Sequence, residues 1–157
     1  MRWLVAILLV AGCTTSIEPQ NPPRLPTGEI REAVAFIPTR EKPVCVVQKV
    51  IDGDTVTIRC PNGEGNARLI GFDTPETFQS GCPAEKQLGQ RAKETLTRVL
   101  ANANVIEPLH KGRDKYNRIL VDLTIDGRPL SRIMVEHGVA VEYDGGRRIN
   151  WCKKLSA

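Results

Sequence analysis

The sequence predicts a mainly β (α+β) domain: a five-stranded OB-fold Greek-key barrel with one long and one short helix. Three observations lead there. A strong hairpin signal sits near residue 52, a third alternating strand runs into a long helical pattern, and two more strands precede a second short helix. Short antiparallel strands around a small core, with a helix inserted after the third, suit that barrel. A plain α+β sandwich is the competing architecture. At 157 residues the chain has room for one domain with a real core.

The first two strands come from "VCVVQKVIDGDTVTIRC", where β-branched residues flank Asp-Gly, the strongest short hairpin signal. With Asp52-Gly53 as a two-residue turn, Ile51 faces Asp54, and the same register carries Cys45 opposite Cys60. The third strand is "NARLIGFD". "TPETFQSGC" then forms a loop, and Pro83 opens a helix at its favoured first position. From Pro83 to Ala101, Ala84, Leu88, Ala92, Leu96, Val99 and Leu100 recur at helical spacing. A strand around Asn104–Leu109, the polar connection "HKGRDKYN" and the strand "RILVDLTI" follow. A short helix from Pro129 ends near Gly138, and "VAVEY" is a last short strand.

Ahead of this domain the composition changes. "MRWLVAILLVAGC" has one arginine and then an apolar run too short to span a bilayer, the layout of an export signal. Its "LVAGC" ending resembles the bacterial lipobox. The expectation is a signal peptide over 1–12, a lipid on Cys13, and a tether over 13–43 holding six of the eleven prolines, before a domain over 44–157. That makes the protein an exported lipoprotein, membrane-held through Cys13. The outer membrane is favoured, with the domain in the periplasm or at the cell surface. A cleaved secretion signal with an incidental cysteine is the alternative. In an oxidising compartment Cys45, Cys60, Cys82 and Cys152 read as two disulfides. The hairpin register favours Cys45–Cys60, which leaves Cys82–Cys152 by elimination. No CxxC pair occurs, so zinc is not expected.

The chemistry gathers at strand ends. Asp54 starts the second strand and Asp73 ends the third. Two carboxylates with a backbone carbonyl make a hard oxygen set suited to calcium or magnesium. Pro75 biases Thr74 toward extended backbone, which orients its carbonyl in advance. Glu76 follows, placed to handle a water. Arg68 and Arg118 each open a strand, and guanidinium groups clamp phosphate through paired hydrogen bonds. Arg68 and Asp73 are five residues apart, so a regular strand would point them to opposite faces. They share a site only if the chain bends between them, and Gly71 permits that. His110, in a polar loop, and His137, at a helix end, read as structural. "GRR" at 146–148 reads as solvated surface.

"VIDGDTVTI", "RLIGFDTPE" and "DKYNRILVDL", in that order, resemble the thermonuclease (staphylococcal nuclease) family from Val44 to about Tyr143. The resemblance implies an OB-fold, calcium-dependent, sugar-nonspecific nuclease. Such an enzyme cleaves the 5′ P–O bond of DNA and RNA and leaves 3′-phosphates. It implies Asp54 and Asp73 as Ca2+ carboxylates, the Thr74 carbonyl as a third ligand, Glu76 as general base, and Arg68 with Arg118 as the catalytic phosphate-binding pair. Lys115 and Tyr116 match residues lining the nucleotide site. The family's C-terminal aromatic wall is only partly matched, with Tyr143 as its equivalent, and the loop after Glu76 is shorter and carries Cys82. No obligate protein partner is implied, and a monomer is expected. The competing function is a non-catalytic OB-fold module that binds nucleic acid without cutting it.

Overall fold

Two β-bulges shape the first hairpin. In the computed structural model, which describes residues 36–37, 45–61 and 63–157, strand β2 (Cys45–Asp52) pairs antiparallel with β3 (Thr55–Cys60). Val46 faces Arg59 and Val47 faces Ile58. After an irregularity Lys49 faces Thr57 and Val50 faces Val56, and after a second Asp52 faces Thr55. The turn is therefore Gly53-Asp54 and not Asp52-Gly53, because β2 spends an extra residue at each bulge. At the far end the expected register survives, and Cys45 and Cys60 are joined with their Cα atoms 4.2 Å apart. The expected signal peptide, the lipid on Cys13 and nearly all of the tether lie outside the described residues.

β3 continues antiparallel into β4 (Gly63–Leu69), and β4 pairs in parallel with β7 (Ile119–Ile125), Arg68 facing Leu120. A parallel joint needs a long crossover. Helix α1 (Pro83–Asn102) and strand β6 (Ile106–Arg113) supply it, β6 returning antiparallel to β7. β6 runs four residues further than the sequence pattern suggests and takes in His110, expected in a loop. A short β1 (Phe36–Ile37) extends the sheet beyond β2, and β8 (Arg128–Pro129) pairs with β7. The order is β1-β2-β3-β4-β7-β6. The mostly-strand α+β architecture is consistent with the expected OB-fold, although among the described residues no ladder closes β6 back onto β1 to seal the barrel.

The predicted third strand is split. Ile70 N–H still donates to the Val121 carbonyl of β7 at 3.0 Å, but Gly71 takes φ +92° and β5 (Gly71–Asp73) pairs instead with β9 (Val141–Tyr143). Helix α2 (Leu130–Glu136) buries Leu130, Ile133 and Met134, and Gly138 at φ +68° follows its end. A third helix, α3 (Trp151–Leu155), was not expected. Asn150 caps it by accepting a hydrogen bond from Lys153 N at 2.8 Å.

α1 closes the core by adding Ala92, Leu96 and Leu100 to the buried cluster that also holds Val56, Leu69 and Phe72. Each fully buried side chain of Leu or Phe size contributes about 1.5–3 kcal/mol. The same helix seats the loops around it. A Cβ on Gly89 would lie 2.9 Å from the carbonyl oxygens of Pro75 and Glu76, so only glycine lets that turn rest on the helix. A Cβ on Gly53 would meet Ala92 Cβ at 2.7 Å and Thr74 Oγ1 at 2.8 Å. The hairpin turn and the Asp73–Glu76 segment are thus pressed together over α1.

Candidate active site

That packing brings Asp54, Arg68, Asp73, Thr74 and Glu76 into one cluster. Asp54, Asp73 and Thr74 are buried. The Asp54 carbonyl accepts from Leu69 N at 2.8 Å, fixing the hairpin turn to the end of β4. Its backbone N–H donates to Asp52 Oδ1 at 3.2 Å, and its Oδ1 accepts from Thr55 Oγ1 at 3.0 Å. Arg68 Nη2 lies 2.9 Å from Asp54 Oδ2 and 3.5 Å from Asp73 Oδ1. The break at Gly71 is what lets a residue of β4 meet one of β5.

The acids exceed what Arg68 satisfies. Asp54 Oδ2 has the Arg68 charge beside it but receives no hydrogen bond, although it is buried. Burial pushes the Asp54 carboxyl up to about 7, against the pull of Arg68 and with the added push of Asp52. An orphaned buried carboxylate oxygen beside a second buried carboxylate and the Thr74 carbonyl fits a hard divalent cation such as calcium or magnesium. Cys82, Glu85 and Cys152 also gather. Their thiols are joined in the second disulfide, which leaves one carboxylate and no metal centre. Glu85 instead accepts from Gly81 N at 2.7 Å and Glu76 N at 3.4 Å, holding the loop between Glu76 and α1.

Lys115, Tyr116 and Arg118 stand apart from this cluster. They form a turn between β6 and β7 organised by Asp114, which accepts from Tyr116 N and Arg118 N at 2.9 Å and from Arg118 Nε at 2.7 Å. Lys115 Nζ lies 5.0 Å from the centre of the exposed Tyr116 ring, and Arg118 lies 5.7 Å from it. Arg118 directly precedes β7, two residues before Leu120, the partner of Arg68 across β4–β7. Among the described residues no ion pair joins Arg118 to the acids. Tyr143 faces Gly71 across β5–β9, and its hydroxyl donates to the Gly146 carbonyl at 2.7 Å.

Arg148 corrects the reading of "GRR" as solvated surface. Its Nε donates to Asp73 Oδ1 at 2.5 Å, its Nη2 to the Thr74 carbonyl at 3.1 Å, and its Nη1 to Glu76 Oε1. Partial burial disfavours its charge, but Glu76 and Asp73 outweigh that and raise its pKa further. Trp151 Nε1 donates to Asp73 Oδ2 at 3.0 Å. Nothing in local sequence pattern marks Arg148. The usable signal was Cys152, whose pairing with Cys82 folds the tail onto the loop after Glu76.

The family described as staphylococcal nuclease homologue matches residues 66–154, a span that holds Arg68, Asp73, Thr74, Glu76, Arg118 and Arg148 but not Asp54. An uncharacterized endonuclease of Haemophilus influenzae is 33% identical over 106 residues, 67% of this chain and 55% of that protein. The thermonuclease of Staphylococcus hyicus is 32% identical over 95 residues, 60% of this chain and 56% of its own length. That of Staphylococcus intermedius is 32% identical over 96 residues, with the same coverage. The chain spans about half the length of these curated relatives. With more than half of its length matched, the chain belongs to the staphylococcal nuclease homologue family.

Proposed function

We propose that the protein is a metal-dependent nuclease that hydrolyses phosphodiester bonds of DNA and RNA, with calcium as its ion. The observation that carries this reading is the orphaned Asp54 Oδ2 facing Arg68 and Asp73 within a nuclease family. Asp54, Asp73 and the Thr74 carbonyl hold the cation, which supplies charge stabilisation to the phosphoryl oxygens when bound. Arg68 and Arg118 take the non-bridging oxygens and offset the charge that repels an incoming nucleophile. Glu76, which is partly exposed, accepts the proton of the attacking water. The water oxygen bonds to phosphorus as the bond to the 5′ oxygen breaks. The leaving oxygen takes a proton from solvent, and a 3′-phosphate remains. Exposed Tyr116 and Lys115 receive the neighbouring nucleotide, with Tyr143 at the opposite edge.

Product-end analysis on single- and double-stranded DNA and on RNA, with calcium and with chelator, tests the proposal. Calcium-dependent release of 3′-phosphate ends is expected, while metal-independent binding without cleavage overturns it. We further propose that a lipid on Cys13 holds this monomeric nuclease to a membrane outside the cytoplasm, the outer membrane being favoured. Fatty-acid labelling that persists in Cys13→Ser would refute that.

A further inference from the structure

The donor atoms proposed for the cation are already engaged by the chain itself. Asp73 Oδ1 is held by Arg148 Nε at 2.5 Å, Asp73 Oδ2 by Trp151 Nε1 at 3.0 Å, and the Thr74 carbonyl by Arg148 Nη2 at 3.1 Å. The third guanidinium nitrogen, Nη1, reaches Glu76 Oε1. One planar cation thus spans a metal-binding carboxylate, a metal-binding carbonyl and the base that handles water. It leaves Asp54 Oδ2 without a hydrogen bond.

The support behind Arg148 is built. The turn before it is tied by Tyr143 to the Gly146 carbonyl, Asn150 caps α3 just after it, and Trp151 is buried. The Cys82–Cys152 disulfide, with Cα atoms 5.9 Å apart, bonds α3 to the loop that follows Glu76. The Arg148 side chain is 38% exposed, so it can swing into water when an incoming cation takes over the charge of buried Asp73.

Resting on the metal reading above, we infer that Arg148 is an internal counter-cation that a divalent ion must displace from Asp73 and the Thr74 carbonyl. A divalent ion at those oxygens meets the like charge of the guanidinium and competes with it for the same lone pairs, so arginine occupancy and metal binding oppose each other. The apparent metal affinity falls by the fraction of molecules in which Arg148 is off the acids. Arg148 therefore sets the cation concentration at which the site loads, and α3 with its disulfide sets how firmly it is held in place.

Calorimetric titration of the full chain with calcium chloride tests this, comparing wild type with Arg148→Gln and Arg148→Lys. Arg148→Gln is expected to bind calcium roughly 5- to 150-fold more tightly, the usual span of coupling between two ligands. Arg148→Lys, which keeps the charge without the three-way fork, is expected to lie between. Equal affinity in wild type and Arg148→Gln overturns the inference and leaves the metal reading standing. No calcium binding by either overturns both. A measurement on wild type alone guards against a misfolded variant. The Arg148 Nε–H resonance should lose its hydrogen-bonded shift as calcium is added, and a resonance unmoved at calcium saturation overturns the inference.

Discussion

The acidic and basic halves of the site are built in opposite ways. Asp54, Asp73 and Thr74 are buried, locked by the hairpin turn, the break at Gly71 and the seat on α1. Lys115, Tyr116 and Arg118 sit on an exposed turn whose order comes from one local residue, Asp114. The buried half sets two carboxylates against Arg68 and Arg148 and keeps them in register, as the proposed cation binding requires. On the proposed function the exposed half needs only to meet a flexible polyanion, and a turn that adjusts on contact serves for that. Rigidity is placed where charge has to be held against repulsion.

The comparison makes its largest prediction at Glu76. Glu76→Gln keeps the shape and the contact with Arg148 but cannot take a proton, and kcat should fall by about 10²–10⁴ with folding intact. Single-turnover cleavage reads this, and a fall under tenfold removes Glu76 from the role of base. Next, Gly53→Val drives a branched side chain into Ala92 and Thr74 and should destabilise the domain by about 1–3 kcal/mol. Calcium affinity should drop with it, and a thermal melt equal to wild type would mean that the turn is not pressed on α1.

Asp114→Asn tests the other half. It loosens the turn holding Arg118 while leaving the buried acids alone, so KM should rise several-fold with the melting temperature unchanged. A large loss of stability would show that the basic turn is as structural as the acidic one. The remaining effect is in pH. In chelator, Asp54 titrates at about 7 in the fold and near its ordinary 3.8 when unfolded. Between those values the native state keeps a proton that the unfolded chain has released, so stability falls as pH rises through that window. Asp52, Thr55 and Arg68 face the carboxyl there. Asp54→Asn should flatten the slope of melting temperature against pH, and an unaltered slope would assign it to other groups.

Much of the frame was legible because it is local. The hairpin, the helix opened by Pro83, the need for a bend at Gly71 and the order of DGD, DTPE and DKYNR all follow from neighbouring residues and their periods. The cysteine pairs were also accessible, one from strand register and one from the count. The turn slipped by a residue because a bulge leaves no mark in alternation, and Gln48 and Ile51 look like ordinary strand residues. Nothing in the sequence sets Gly89 apart from any glycine in a helix; only the packing puts the Pro75–Glu76 backbone against it.

By itself the sequence determined the strands, the long helix and the cast of acids and arginines, since backbone preference and hydrophobic period act between close neighbours. The tertiary structure alone decided that Asp54 is buried with an orphaned oxygen, and that Arg148 reaches Asp73 from 75 residues away. Such contacts depend on how several loops pack over one helix. That packing is a property of the assembled core and of no single stretch of chain.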